Sequence, residues 1–208
     1  MTSWVPFAER RNIIMKNKTT HRLVESALFI AIATVLSFLK IDLPFGGGVT
    51  IVSMLPLVFI SHRWGWKWGV FTAFVYGVLQ LLFGLDNVGY ATTFMTAVGI
   101  VLFDYIVAYS CIGISGIFDN VFGKTRKALT VGIAVAFFLR FVCHFITGVW
   151  IWGGWMPESF MNMTMTSPWI YSLLYNGWYM LAELVLTEIV ANLIYVPLGK
   201  YIRGEDIA

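Results

Sequence analysis

Charged residues are scarce in this sequence. Of the 208 residues, 12% are Asp, Glu, Lys or Arg and 59% are hydrophobic, whereas soluble domains contain roughly 25% charged and about 45–50% apolar residues. This shortage of charge excludes an ordinary soluble domain and predicts an integral membrane protein in contact with the lipid bilayer. The formal net charge of +3 lies mostly in loops assigned below to the cytoplasm, so it indicates topology and no nucleic-acid partner.

Cysteines and nucleotide-binding motifs are lacking as well. The two cysteines, Cys111 and Cys143, lie inside apolar segments without the spacing of a metal or redox motif, and we interpret them as packing residues. No stretch matches GxxxxGK[ST], which excludes ATP hydrolysis by a P-loop mechanism. The apolar run that begins at Leu23 ends without a small-residue cleavage site, so we expect no cleavable signal peptide.

Six apolar segments approach the ~17–25 residues that a membrane-spanning helix needs. They are 23–39, 49–61, 68–85, 94–118, 129–152 and 169–198. The second is short and contains Pro56, so we expect it to be tilted, kinked or only partly inserted. The sequence therefore predicts an all-α integral membrane protein with six transmembrane helices in a single domain. That domain is expected to span residues 23–202, between a basic segment, 1–22, and a tail, 203–208.

Lysine and arginine alternate between the predicted loops. Nearly all of them lie in the N-terminal segment, the 62–67 turn, the 119–127 loop and the C-terminus, while the loops at 86–93 and 153–168 hold almost none. Because positive residues accumulate on the cytoplasmic side of membrane proteins, both termini are predicted to be cytoplasmic.

Ionisable and polar residues recur at one depth within the apolar segments. Asp104 lies roughly 15 Å, and His144 roughly 12 Å, from the predicted outer ends of their segments at ~1.5 Å per residue. Intramembrane ionisable groups are costly and by default indicate a functional site. The alternative is a core histidine bonded to a backbone carbonyl, with the tryptophans forming an interfacial belt. The candidate binding residues at this depth are Asp104, Tyr105, His144, Gly148, Trp152, Tyr171 and Asn176.

These residue types together favour one class of ligand. A buried carboxylate favours a cation, indole and phenol rings accept a flat or cationic group over their faces, and Asn and His orient a ligand by hydrogen bonds. We therefore expect a pocket, open to the outside, for a small, flat, cationic heteroaromatic compound.

Three runs also carry a family resemblance: FDYIVAYSCIGISGIF (103–118), HFITGVWIW (144–152) and IYSLLYNG (170–177). They resemble the ThiT family, the thiamine-binding S components of bacterial energy-coupling factor (ECF) transporters, and the similarity extends over about 24–198. The resemblance implies that Asp104 and Tyr105 meet the thiazolium of thiamine. It also implies that His144, Gly148 and Trp152 form the stacking site and that Tyr171 and Asn176 complete it, with hydrogen bonds fixing the pyrimidine.

Three positions depart from the family pattern. Asp104 stands in place of a glutamate, glycines near Gly47 replace a tryptophan in the first loop, and Phe94 replaces a tyrosine. Tyr90 or Trp155 could substitute for the missing aromatic side chains, and the sequence does not decide between them.

The first segment carries two small residues four apart, Ala27 and Ala31, which allow a neighbouring helix to approach closely. Such pairs are common by chance, and ordinary internal packing is the alternative. The resemblance implies that this AxxxA pair docks on a transmembrane T component and that two cytoplasmic ATPase subunits supply energy. It further implies ATP-driven thiamine uptake across a bacterial cell membrane by a multi-pass binding subunit that is itself no enzyme and needs no cofactor or metal.

Two other functions share some of these sequence features. The motif GISG around Ser115, together with His144, suggests an intramembrane serine protease, but roughly 16 Å of helix separates that serine from the depth of the histidine, beyond hydrogen-bond reach. The other is an S component or a stand-alone facilitator for a different flat cationic metabolite. Six segments without a visible internal repeat fit a binding subunit better than a two-lobed carrier.

Overall fold

The chain folds into a bundle of helices with two short β ribbons. A computed structural model describes residues 7–42 and 48–207, with side chains for 18–41 and 48–207. The helices are α1 (Phe7–Phe38), α2 (Leu55–Trp64), α3 (Trp66–Phe83), α4 (Leu85–Val88), α5 (Phe94–Phe122), α6 (Arg126–Trp150) and α7 (Pro168–Ile202). The strands are β1 (Lys40–Asp42), β2 (Gly48–Thr50), β3 (Ser159–Phe160) and β4 (Met163–Thr164), paired antiparallel as β1–β2 and β3–β4.

Five described helices are long and apolar enough to cross a membrane: Lys18–Phe38 within α1, and α3, α5, α6 and α7. Their exposed surface is rich in large apolar side chains, among them Val24, Val35, Leu193 and Val196. Outside a membrane such a surface is unstable, and in a bilayer it contacts lipid tails. The chain is therefore a multi-pass membrane protein with a mainly helical fold, as the sequence predicts.

The second predicted segment is the exception. Its helix, α2, has 10 residues and is therefore roughly 15 Å long, half of what a crossing needs. Residues 55–63 of this helix are all buried, so α2 contacts protein on every side. The extended β2 and a turn precede it, and non-helical backbone is tolerated at membrane depth only where protein or a cavity surrounds it. Five of the six predicted helices are thus present at full length.

Capping residues in the sequence determine where α6 and α7 begin. The Thr125 side chain accepts a hydrogen bond from the Ala128 N–H, and the Ser167 side chain accepts one from the Trp169 N–H. Both are N-cap contacts that satisfy backbone donors left free in the first turn. Pro168 follows Ser167 at the first helical position, where its missing N–H costs nothing.

Small residues let α2, α3, α5 and α6 pack closely on the side of the bundle away from the cavity. A Cβ on Gly113 would lie 2.3 Å from backbone atoms of Gly69, and one on Gly132 would lie 2.1 Å from the Ser115 carbonyl oxygen. Ser61 Oγ joins α2 to α5, since it donates to the Gly113 carbonyl (2.6 Å) and accepts from the Gly116 N–H (2.9 Å). Ser115 and its neighbouring glycines therefore serve helix packing.

The basic stretches of the chain meet at one end of the bundle. Arg63, in the last turn of α2, forms ion pairs with Glu25 of α1 and Asp206 of the C-terminal tail. Its carbonyl oxygen accepts a hydrogen bond from Lys124 Nζ, which comes from the loop between α5 and α6. Three of the four segments that the charge pattern assigns to the cytoplasm therefore lie together, beside Glu25 of α1, which follows the fourth in sequence.

Candidate substrate-binding site

The half of the bundle away from Arg63 contains a cavity of about 480 Å³, bounded by the long helices, α4 and both strands of the first ribbon. This volume lies within the ~300–1,000 Å³ of small-molecule sites. All seven residues that the sequence singles out line it: Asp104, Tyr105, His144, Gly148, Trp152, Tyr171 and Asn176. Three helices distant in sequence therefore bring their polar residues into one chamber.

Asp104 is held in place by donors from α6 and the turn after it. Its Oδ1 accepts a hydrogen bond from Thr147 Oγ1 and lies 3.3 Å from His144 Nδ1, and its Oδ2 accepts one from Trp152 Nε1 at 2.8 Å. The carboxylate sits on a π-helical stretch of α5, Ile100–Ile106, an irregularity often found at functional sites. Thr147 was missed in the sequence, although it lies one helical turn from His144.

The His144 ring faces a carboxylate and no backbone carbonyl, contrary to the core-histidine alternative. Its Nδ1 is directed to Asp104, and its buried Nε2 has no hydrogen-bond partner among the described residues. A buried polar nitrogen without a partner costs free energy, and a ligand that hydrogen-bonds to it removes that cost. His144 thus has one nitrogen committed to Asp104 and one buried nitrogen that no described residue satisfies.

Gly148 lets α6 approach α7 at the level of the cavity. A Cβ at this position would lie 2.2 Å from Ser172 Oγ and 2.8 Å from Asn176 Nδ2. Because this space is open to α7, the Asn176 amide can donate to the His144 carbonyl oxygen at 3.2 Å and to Ser172 Oγ at 3.0 Å. The glycine therefore fixes the position of Asn176 relative to His144.

Aromatic side chains form two walls of the cavity. On one side, Tyr171 and Tyr175 are stacked, with ring centroids 5.4 Å apart at 26°. On the other side are Trp152 and Trp155, and Tyr90 packs edge-on against both, at 6.1 and 5.5 Å between centroids. Such walls suit a flat or cationic ligand.

Of the three positions that depart from the family pattern, Asp104 and Phe94 lie among the described residues. Trp155 lines the cavity, while Tyr90 contacts the two tryptophans, so of the two candidate substitutes Trp155 is the one at the cavity surface. Phe94 is 81% exposed and lies outside the cavity lining. Gly47 lies outside the described residues.

Tyr105 lines the cavity with its ring, while its hydroxyl serves the fold. The hydroxyl donates to the Gly84 carbonyl oxygen at 3.1 Å and accepts from Asn87 Nδ2 at 2.7 Å. Tyr105 thus ties α5 to the segment that joins α3 and α4.

The inner end of the cavity holds an ion pair that the sequence analysis missed. Arg140 Nη1 lies 2.6 Å from Glu183 Oε2, and both residues are buried and line the cavity. The signal was available, since both are charged residues inside apolar segments. Arg140 and Glu183 neutralise each other, and the other Asp, Glu, Lys or Arg side chains among the described residues that line the cavity are Asp104 and Lys40.

The remaining candidates lie away from the cavity. Ser115 contacts Gly132 on α6, and the twelve residues from there to His144 correspond to roughly 18 Å of helix, which contradicts a serine protease site. Ala27 and Ala31 are exposed on α1. They are therefore available to another helix and are not covered by the part of the chain that the structure describes.

Comparison with known proteins gives consistent matches. The model of the thiamine transporter protein family (Thia_YuaJ) matches residues 23–202. The thiamine transporter ThiT of Bacillus subtilis (strain 168) is 32% identical over 202 residues, which cover 91% of this chain and 98% of that protein. ThiT of Lacticaseibacillus paracasei is 27% identical over 197 residues, 88% of this chain and 91% of that protein. A solved structure of ThiT from Listeria monocytogenes superposes with a TM-score of 0.71, covering 89% of this chain and 98% of that one at 23% identity, which shows a shared fold.

Proposed function

Because this chain belongs to the thiamine transporter protein family, we propose that it is the thiamine-binding S component of an ECF-type importer in a bacterial cell membrane. It is a transport protein rather than an enzyme. The observation that carries the proposal is the cavity, in which the Asp104 carboxylate lies between aromatic walls and is held by Thr147 and Trp152 instead of by an arginine or a lysine. Thiamine has the matching chemistry, with a cationic thiazolium and a flat aminopyrimidine.

The thiazolium is attracted to Asp104 and to the ring faces beside it. At an effective dielectric of about 20, opposite unit charges about 5 Å apart attract by ~3 kcal/mol, roughly a 100-fold gain in affinity or more. Cation–π contact adds ~0.5–2 kcal/mol. Because Thr147 and Trp152 already orient the Asp104 carboxylate, little ordering is needed when the ligand binds.

The pyrimidine requires hydrogen-bonding groups. His144 Nε2 has no partner among the described side chains, and Asn176 is held beside it by its bonds to the His144 carbonyl and Ser172. A site with fixed polar partners discriminates strongly against compounds that leave those partners unpaired. We propose that these two residues select the aminopyrimidine.

Delivery into the cell requires other subunits in this proposal. By resemblance, a transmembrane T component docks on Ala27 and Ala31, and two cytoplasmic ATPases hydrolyse ATP to reorient the S component. Both alanines are exposed on a helix that has large apolar side chains at Val24 and Leu28, which suits contact with another membrane helix.

Ligand binding is tested by titrating the purified chain with thiamine and following tryptophan fluorescence, with calorimetry for affinity. Riboflavin and biotin serve as control ligands. We expect saturable quenching by thiamine alone, since a ligand stacked on Trp152 quenches that indole. Asp104→Asn should weaken binding roughly 100-fold, and Trp152→Ala should abolish most of the quenching. Trp178→Phe, which removes an exposed tryptophan outside the cavity, is the control and should change neither the thiamine affinity nor the quenching by thiamine. Wild-type thiamine affinity in the Asp104 and Trp152 variants would refute the assignment of the binding site.

Docking is tested separately by uptake into vesicles that contain the T component and both ATPases. The double variant Ala27→Trp and Ala31→Trp should bind thiamine normally and lose uptake, because two indoles keep the partner helix away. Leu193→Trp, on the exposed face of α7, is the matched control and should transport normally. Normal uptake by the double variant would contradict docking on α1 and leave the binding site untouched.

A further inference from the structure

The ion pair at the inner end of the cavity involves two nearly inaccessible residues. Arg140 is 6% and Glu183 3% exposed, with 2.6 Å between Nη1 and Oε2. The Arg140 Cζ lies 5.2 Å from the ring centre of Tyr109, and its buried Nε has no hydrogen-bond partner among the described residues. A positive charge is thus built into a cavity suited to a cation, and Glu183 is its carboxylate partner there.

Glu183 also holds the extended segment that precedes α2. Its Oε1 accepts two hydrogen bonds from Thr50, one from the backbone N–H at 2.8 Å and one from Oγ1 at 2.7 Å. Thr50 is the last residue of β2, and Val52 has a positive φ of 49° where the chain turns towards α2. One carboxylate therefore joins α6, α7 and β2 at the cavity wall.

The charge balance has a consequence for ligand selection. Arg140 lies one helical turn inward from His144, and unit charges about 8 Å apart at an effective dielectric of about 20 change a dissociation constant by roughly 10- to 100-fold. An unneutralised guanidinium at this place disfavours a cation and favours an anion by factors of that size.

We propose that Glu183 is a charge-selectivity residue of this cavity: by neutralising Arg140 it prevents that guanidinium from offsetting the charge of Asp104, so that cationic ligands are accepted and anionic ones are disfavoured. Its bonds to Thr50 keep the carboxylate in place beside Arg140. This inference rests on the proposed function, because it takes the ligand to be a cation.

The test compares thiamine with thiamine monophosphate, whose phosphate makes its net charge negative. Dissociation constants for both are measured by calorimetry on the purified chain, and the readout is their ratio. Glu183→Gln should weaken thiamine binding roughly 10- to 100-fold and shift the ratio towards the phosphate. Arg140→Gln should shift the ratio the opposite way, and the double variant should return it to near the wild-type value.

Loss of folding affects both ligands equally and leaves the ratio unchanged, so the ratio separates charge selection from a structural role. Thr50→Val removes the hydroxyl bond but keeps the backbone N–H bond to Glu183 and both charges, so it should also leave the ratio unchanged. If Glu183→Gln and Arg140→Gln each keep the wild-type ratio, or shift it in the same direction, the inference is wrong. A wild-type protein that binds neither compound would instead refute the proposed function, and the charge selectivity with it.

Discussion

Gly148 offers a direct test of how closely α6 must approach α7. In Gly148→Ala, the new Cβ would lie 2.2 Å from Ser172 Oγ, 3.0 Å from Ser172 Cβ and 2.8 Å from Asn176 Nδ2. Rotating the serine hydroxyl relieves only the first contact, at the expense of its bond to the Phe145 carbonyl. The other two contacts require α7 or the Asn176 side chain to move.

Overpacking of this kind costs ~1–3 kcal/mol, while Gly to Ala within a helix gains ~1 kcal/mol. We therefore expect the free energy of unfolding to fall by at most about 2 kcal/mol. The affinity for thiamine should also fall, because Asn176 is displaced from its position beside His144. A loss of ~1–3 kcal/mol of binding free energy corresponds to a roughly 5- to 150-fold weaker affinity.

Gly177→Ala is the matched control. It lies on α7 beside Asn176, and its new Cβ would meet Phe141 Cε2 at 3.9 Å, an ordinary contact. The control should keep thiamine affinity and match or exceed wild-type stability. Calorimetric titration and thermal unfolding of both variants provide the comparison. Equal thiamine affinities for Gly148→Ala and Gly177→Ala would show that the close helix approach does not position the binding residues.

Two further predictions concern the ion pairs of Arg63 with Glu25 and Asp206, at the end of the bundle away from the cavity. Glu25 accepts hydrogen bonds from Arg63 and Trp64 in a buried setting, so Glu25→Gln should lower the free energy of unfolding by about 3–5 kcal/mol. Asp206→Asn alters a carboxylate with 45% of its side chain exposed, so it should lower the free energy of unfolding by at most about 1 kcal/mol. Equal losses of unfolding free energy for Glu25→Gln and Asp206→Asn, measured by denaturant unfolding, would contradict this prediction. Arg63 holds the pKa of Asp206 below its ordinary value of 3.8. The wild type should therefore keep its small stability advantage over Asp206→Asn at neutral pH and lose it only as the pH falls through that lowered pKa, which thermal unfolding across acid pH measures.

The apolar composition and the positions of Lys and Arg were enough to predict a membrane protein and its five long helices. Membrane insertion depends on the sum of apolar residues within one stretch of chain, so it can be estimated from that stretch alone. Asp104 and His144 were found for a related reason, because an ionisable residue inside such a stretch is conspicuous at any position. Their shared depth then followed from the helical rise and the orientation.

The contacts that complete the cavity could be seen only after folding. The bond between Thr50 and Glu183 joins residues 133 positions apart, and the short α2 is compatible with the membrane only because other helices bury it. Thr147 and Trp155 have ordinary neighbours in the sequence and acquire their place through the packing of α5 and α7 on α6. The sequence by itself thus determined which segments enter the membrane and which charges enter with them. Tertiary structure decided which of those charges are neutralised, because neutralisation depends on separations of a few ångströms between different helices, whereas the insertion of each of the five long helices depends on the composition of its own stretch.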